Sequence, residues 1–547
     1  GAADKPEYSD TGLAFDTTYY YTVAGVSVTG DTGPRSAPLP VYVKGEAKPA
    51  EAFTETITAE AGPASRNVAP MEIVPVELSY IFSANYKYYI KNPVGRIAVQ
   101  NNTESAFSNV KVSFFLKDFM DFPSDTIVKE IAPHSKAQVD LMATLNNRLL
   151  NINEDTPIQC QLTMTYYVDG AEKTFTLNRP VKVLSKNAII WDKADRLANF
   201  ITPKDTPVFS FSRFVLNEKN KSSEDSALLN GDVLSALMIW EGLGEEGINY
   251  LADPVSPYSV KKSSKAFTID TVQFPRNTLK LRSGDCDDLT ALFASVFEAS
   301  GLHAAILDYP SHIALMFDTG ATDARDVGIP EEYLIKYNNT YWVGVETTML
   351  GQSFYDSIKH QADLYRSMAA DVKVVDVRTA WLEFEPVTLP ESEVENTPDR
   401  AKFNARVKEG VAGMVKARYE YFKKYYGAIL LDNPDDADAG LNLGILSAQS
   451  GESEEAGKYF GKILEKDPVN AAALNNIGNL SFKAGKYVEA LAHYFKASKA
   501  DPYDANVWLN AARASAKLGK KDDVKVFADR AAKLDPEVKN IGDKLLK

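Results

Sequence analysis

Cysteine and histidine are scarce in this chain. Two cysteines, Cys160 and Cys286, occur in 547 residues, and they lie far apart. A disulfide between them is not expected, and no C-x-x-C or H-E-x-x-H pattern nominates a paired metal site. Five histidines, at 134, 303, 312, 360 and 493, leave few partners for any thiol chemistry. Apolar runs are short: none reaches the about 18 residues that a membrane-spanning helix needs. No signal-peptide pattern opens the chain, and its start, GAADKPEYSD, reads as processed or engineered. Positive charge is in deficit, with 60 Lys and Arg against 74 Asp and Glu and a net charge of −14. An acidic surface repels phosphate backbones, which argues against a nucleic-acid partner. Phosphate loops of the G-x-x-x-x-G-K-[ST] and G-x-G-x-x-G kinds are missing, as is a G-x-S-x-G elbow. No cofactor and no metal are expected.

What is present is an ordinary globular composition, 45% hydrophobic and 24% charged. Its length predicts about three to five domains. Residues 1–45 hold the alternating stretch TYYYTVAGVSV, a Gly/Pro/Ser turn region and PLPVYV. They resemble the last strands of a fibronectin type III module, and such a fragment cannot bury its face alone. Residues 46–72, rich in Ala, Glu, Thr and Pro, read as a linker. Residues 73–186 return to strand patterns, with a hairpin turn at Asp169-Gly170, and predict an Ig-like β-sandwich. Cys160 lies inside one of those strands and reads as a small buried hydrophobe.

The C-terminal part is periodic. Pro434, Pro468, Pro502 and Pro536 are spaced 34 residues apart, as are Gly451, Gly485 and Gly519, and Gly444, Gly478 and Ala512. NNIGNLSFKAGKYVEALAHYFKASKADP resembles the tetratricopeptide repeat. Residues 403–547 are therefore expected to be an all-α solenoid: a half-repeat built on YEYFKKYYGAILLDNP, then three repeats over 437–538, after a linker at 386–402. The resemblance implies a concave surface for a protein partner, or a purely structural cap.

Between these parts lies RSGDCDDLTALF. Leu289, Leu292, Phe293, Val296 and Phe297 form one apolar helical stripe, and Cys286 sits in its first turn. Unpaired N–H groups there favour a thiolate, whereas Asp285, Asp287 and Asp288 oppose it unless they cap the helix or point away. HIALMFD places His312 on a strand, and YWVGVE ends a further strand at Glu346. SGDCDDLTALFASVFEASGLHAAILDYPSHIALMF together with YWVGVETT resembles the transglutaminase-like cysteine hydrolase superfamily. The resemblance implies an α+β, papain-like domain over 187–385. Cys286 would be its nucleophile, His312 its general base and later acid, and Glu346 the orienter of the imidazole. Glu replaces the more usual Asp in the third role.

Several alternatives stay open. Asp308 or Asp318 could orient the histidine, and His303 could be the partner of Cys286. Gln273 could supply an oxyanion amide beside the Cys286 N–H. Cys286, His312 and Glu346 offer zinc-type ligands without zinc-type spacing, and GDCDD lacks the spacing of a calcium loop. The segment 318–340 could cover the cleft. Two functions follow. One is acyl transfer on amide bonds of a protein or peptide substrate, with the repeats recruiting a partner. The other is a non-catalytic envelope scaffold that uses the same domains for binding. Sandwich modules ahead of such a domain suggest the periplasm or bacterial cell envelope.

Overall fold

The computed structural model describes residues 17–21, 39–43, 69–221, 228–252, 269–393 and 397–545. The chain divides into two compact units, Gly1–Lys186 and Asn187–Lys547.

The first unit is β-rich. Strands β1 (Thr17–Tyr21) and β2 (Leu39–Val43) pair antiparallel, with Thr17 opposite Val43 and Tyr21 opposite Leu39. The rest of the fibronectin-like segment, and most of the stretch read as a linker, lie outside the described residues. Then follow β3 (Met71–Leu78), β4 (Ile81–Phe82), β5 (Gly95–Asn101), β6 (Phe107–Leu116), β7 (Ser124–Ile131), β8 (Lys136–Leu141), β9 (Thr156–Val168) and β10 (Ala171–Leu184). They form a three-stranded sheet, β3-β5-β8, and a five-stranded sheet, β4-β10-β9-β6-β7. Every second residue is buried: Val110, Val112, Phe114 and Leu116 on β6, and Cys160, Leu162 and Met164 on β9. Burial pushes the Cys160 thiol up to about 11, which suits an inert core residue. The β9–β10 turn takes positive φ at both Asp169 (47°) and Gly170 (77°), the backbone a two-residue hairpin needs. Strand β3 already starts at Met71, inside the stretch read as a linker.

The second unit opens with β11 (Ala188–Ile190), α1 (Thr206–Lys219), α2 (Gly231–Glu245), β12 (Asn249–Tyr250), β13 (Ile269–Thr271), α3 (Pro275–Leu281), β14 (Ser283–Gly284) and α4 (Cys286–Ala299). It continues through β15 (Ala304–Asp308), β16 (Ile313–Asp318), β17 (Leu334–Tyr337), β18 (Thr340–Val345), α5 (Phe354–Ser367) and β19 (Lys373–Asp376). The last five strands form one antiparallel sheet in the order β17-β18-β16-β15-β19. Helix α4 lies on that sheet. Its apolar stripe is fully buried, and Phe297 packs edge-to-face on Phe317 of β16 at 5.4 Å. On its other side, Phe293 meets Trp240 of α2 at 5.6 Å.

Helix α6 (Arg400–Asp432) runs for 33 residues from an Asp399 cap. Its first turns belong to the preceding α/β part. Phe403 packs on Phe214 at 5.1 Å, and Arg406 pairs with Glu241 at 3.0 Å. The stretch read as a linker up to residue 402 thus already contains the start of this helix. The half-repeat predicted from YEYFKKYYGAILLDNP is its C-terminal end.

The helical C-terminal region fits repeats. Helices α7 (Ala437–Gln449), α9 (Ala471–Lys483) and α11 (Ala505–Lys517) start 34 residues apart, as do α8 (Ser453–Lys466), α10 (Tyr487–Ala500) and α12 (Lys521–Leu534). Helix α13 (Lys539–Leu545) follows. The small residues are required by contact. A Cβ at Gly444 would meet the Phe460 ring, and one at Gly478 would come within 2.5 Å of the Tyr494 ring. Among the described residues, no helix is long and apolar enough to cross a membrane.

Candidate active site

Helix α4 begins at Cys286 for local reasons. Asp285 is its N-cap and accepts from the Asp288 N–H at 3.2 Å, while the Asp288 carboxylate faces the Asp285 N–H at 3.4 Å. This is a capping box with Asp at the position that Glu or Gln usually fills. Gly284 lets the incoming chain lie on that first turn: a Cβ there would fall 2.6 Å from Asp288 Cβ. Asp288 also accepts from the backbone N–H of Gln273 at 2.7 Å, tying the chain two residues before α3 to the helix start.

Two of the three aspartates are therefore structural. Asp288 is pushed up to about 6, first by burial and then by Asp285. Asp287 is 2% exposed, and burial with its aspartate neighbours holds its carboxyl well above the usual range. The three carboxylates lie within 4.8 Å of one another, and each already accepts a backbone N–H, Asp285 and Asp287 from Asp288 and Asp288 from Gln273.

Cys286 is half-buried at the first helical position. Its thiol is pushed up, above all by burial and then by Asp287 and Asp285; the Ile313 N–H acts the other way. The helix start thus does not win. Burial in apolar surroundings and two acidic neighbours outweigh the favourable N-terminal field, so the resting group is the neutral thiol.

Ile313 is the first residue of β16, and His312 precedes it. Thr290 of α4 reaches the Ile313 carbonyl at 3.5 Å, so helix and strand start are joined beside the sulfur. The His312 carbonyl accepts from the Tyr309 N–H at 2.9 Å, and the two rings stack with centroids 6.3 Å apart. That tight turn fixes the imidazole.

His312 Nε2 lies 2.8 Å from Glu346 Oε2. Glu346 is 2% exposed, and its other oxygen accepts from the Thr348 N–H at 3.1 Å and the Thr348 hydroxyl at 2.6 Å. Burial alone would raise this carboxyl; the bonds from His312 and Thr348 overcome it and hold the group below its ordinary value. An ionised Glu346 assigns the Nε2 proton to the bond between them. Nδ1 is then the open nitrogen, the arrangement a base oriented by a carboxylate requires.

The rival partners sit elsewhere. His303 pairs with Asp376 at 2.7 Å and packs edge-to-face on Trp342 at 5.1 Å. Asp318 accepts from the Gly320 N–H at 2.9 Å, and Asp308 ends β15. The side-chain amide of Gln273 donates to Asp288 Oδ2 at 2.5 Å and to the Ser283 carbonyl at 3.4 Å. In this arrangement the amide N–H groups face Asp288 and Ser283 and brace the helix start. The segment 318–340 forms a helical turn at Ala324–Val327 and then the edge strand β17. It rests on α6, where Arg418 lies 3.2 Å from a Cβ built at Gly328 and the Tyr421 hydroxyl faces the Glu331 N–H at 3.4 Å.

Tyr250 was not singled out from sequence. Strand β12 pairs parallel with β14, setting Tyr250 opposite Gly284, and it also borders the Thr347–Met349 turn. That pairing sets its backbone beside the start of α4, and the phenol is pushed up by burial first and then by Cys286, Asp285, Glu346 and Asp287.

No protein-family model matches the chain, and no curated protein matches it. Solved structures with some likeness include one described as the crystal structure of MamA, 15% identical, covering 26% of this chain and 89% of that one at a TM-score of 0.21. A second, described as the crystal structure of MamA protein, is 17% identical over 25% of this chain and 79% of that one, with a TM-score of 0.20. A third, MamA MSR-1 C2, is 21% identical over 25% and 81%, also at 0.20. Such scores carry no argument about the site.

Proposed function

We propose that residues 187–385 form a transglutaminase-like, papain-related domain that transfers an acyl group from an amide of a protein or peptide. Cys286 is the nucleophile, His312 the base and later acid, and Glu346 the orienter. The 2.8 Å bond between His312 and a buried, ionised Glu346, beside a cysteine that starts a core helix, is the observation that supports this most.

The step starts from the neutral thiol. His312 Nδ1 takes the proton as sulfur attacks the carbonyl carbon, and Glu346 stabilises the imidazolium. The C–S bond forms while the carbonyl π pair moves to oxygen. Collapse breaks the C–N bond, the amine leaves with the proton from His312, and a thioester remains on Cys286. Water or a lysine-like amine then attacks the thioester carbonyl and gives a proton to His312; the C–S bond breaks, the proton returns to the Cys286 sulfur, and a carboxylic acid or a cross-link leaves.

The paired-helix stack supports recruitment of a protein partner by a tetratricopeptide surface. The β-rich unit, read as an Ig-like sandwich after fibronectin-like strands, would space this head from an envelope surface in the periplasm or cell envelope. The raised Cys286 thiol supports a second reading, a non-catalytic assembly protein that binds through both regions.

The test is p-nitrophenyl acetate. The catalytic reading expects one acetyl group per chain on Cys286, with release of p-nitrophenolate lost in Cys286→Ala. A wild-type chain that never carries acetyl on Cys286 favours the assembly protein.

A further inference from the structure

We propose that Tyr250 is a catalytic residue, its phenol donating a hydrogen bond to the carbonyl oxygen of the acyl group under attack at Cys286. This rests on the acyl-transfer reading.

An acyl-transfer site needs donors aimed at the developing oxyanion, commonly two. One is on the page. The Cys286 N–H is a first-turn donor with no intrahelical acceptor, and it makes no hydrogen bond among the described residues. Gln273 turns its amide N–H groups to Asp288 and Ser283.

Tyr250 fits the vacant role. The β12–β14 pairing fixes its backbone: the Asn249 N–H donates to the Arg282 carbonyl at 3.0 Å, and the Leu251 N–H to the Gly284 carbonyl at 2.9 Å. Tyr250 is thereby pinned opposite Gly284, two residues before Cys286, while β12 also borders the turn that follows Glu346. Tyr250 is 44% exposed. The phenol makes no hydrogen bond among the described residues, although carboxylates surround the site. A phenol keeps its proton at neutral pH, which is the form an oxyanion needs, and burial first and then the nearby Cys286 and carboxylates push it further up.

In the step, the Cys286 sulfur gives its proton to His312 as it forms the C–S bond, the carbonyl π pair moves to oxygen, and the Tyr250 O–H and Cys286 N–H bind that oxygen. Tyr250 keeps its proton throughout. On collapse the electron pair returns and expels the leaving group.

Two reagents separate this role from a structural one. p-Nitrophenyl acetate develops an oxyanion as it acylates Cys286; iodoacetamide alkylates the same sulfur by displacement at a saturated carbon and develops none. In full-length Tyr250→Phe, acylation of Cys286 is expected to fall about 100-fold, the loss typical of one oxyanion donor. Alkylation should stay within about twofold. Equal acylation in Tyr250→Phe and wild type overturns the proposal, as does a parallel fall of both reactions. A wild-type chain that alkylates but never acylates removes the acyl-transfer reading itself and with it this role.

Discussion

Replacing Glu346 by Gln isolates the electrostatic half of the candidate site. Glu346 is 2% exposed and accepts three bonds, from His312 Nε2, the Thr348 N–H and the Thr348 hydroxyl. Gln has nearly the same shape, but one end of its amide can only donate. Turned toward His312, that end faces an N–H or forces the other tautomer; turned toward Thr348, it faces a backbone donor. Either way the charge that stabilises the imidazolium is gone. A hydrogen bond to a charged group contributes about 1.5–3 kcal/mol, which corresponds to a fall of about 10- to 150-fold in the rate of Cys286 acylation. Loss of a wrong-tautomer kind can reach about 10⁴-fold in a triad. The assay is the p-nitrophenolate burst under single-turnover conditions, with the acetyl group located on Cys286 by mass spectrometry and the buried Cys160 as reference. Glu346→Asp keeps the charge and should recover part of the rate. A Glu346→Gln rate within about twofold of wild type refutes the reasoning, because the carboxylate would then do nothing for His312.

Two other outcomes test the frame around the site. Asp288, raised to about 6 in the fold from an ordinary 3.8, binds its proton more tightly folded than unfolded. Its contribution to stability is full below the unfolded value and lost as pH rises through the folded one, so Asp288→Asn should gain about 2–3 kcal/mol relative to wild type between pH 3.5 and 7. Urea titrations at the two pH values check this, and a pH-independent difference contradicts it. In the repeats, Gly478→Ala sets a helix-propensity gain of about 1 kcal/mol against overpacking of about 1–3 kcal/mol, because the new Cβ falls 2.5 Å from the Tyr494 ring. Net destabilisation is expected, larger for Gly478→Val; a more stable Ala variant rules out the close helix contact.

Local signals were legible in the sequence; long-range pairings were not, apart from His312 with Glu346, which the family resemblance implied. The 34-residue spacing of prolines and small residues predicted helix pairs that begin at the same interval, since each repeat carries its own contact, such as Gly478 against Tyr494. The stripe from Leu289 to Phe297 announced a buried helix starting at Cys286. The turn at Asp169-Gly170 followed from its residues alone. Tyr250 escaped because a two-residue strand has no periodicity, and its parallel pairing with Ser283–Gly284 spans more than thirty positions of chain. The state of the thiol stays open in the sequence: spacing shows a helix start with acidic neighbours, whereas burial, and then Asp287 and Asp285, push the thiol up in the fold. Gln273 sits at a reasonable distance in sequence, yet nothing in its neighbours reveals that Asp288 takes its amide. Helix α6 likewise serves two regions, and a boundary at residue 402 could not be seen to fall inside it.

That His312 drives acyl transfer to Cys286 is tested most directly by the rate at which p-nitrophenyl acetate acetylates Cys286 at neutral pH in wild type and in His312→Ala. His312 is a quarter exposed and bonded on one side only, so its loss should leave the fold intact. A fall of about 100-fold or more is expected for removal of a general base. Equal acetylation rates in the two proteins would contradict it.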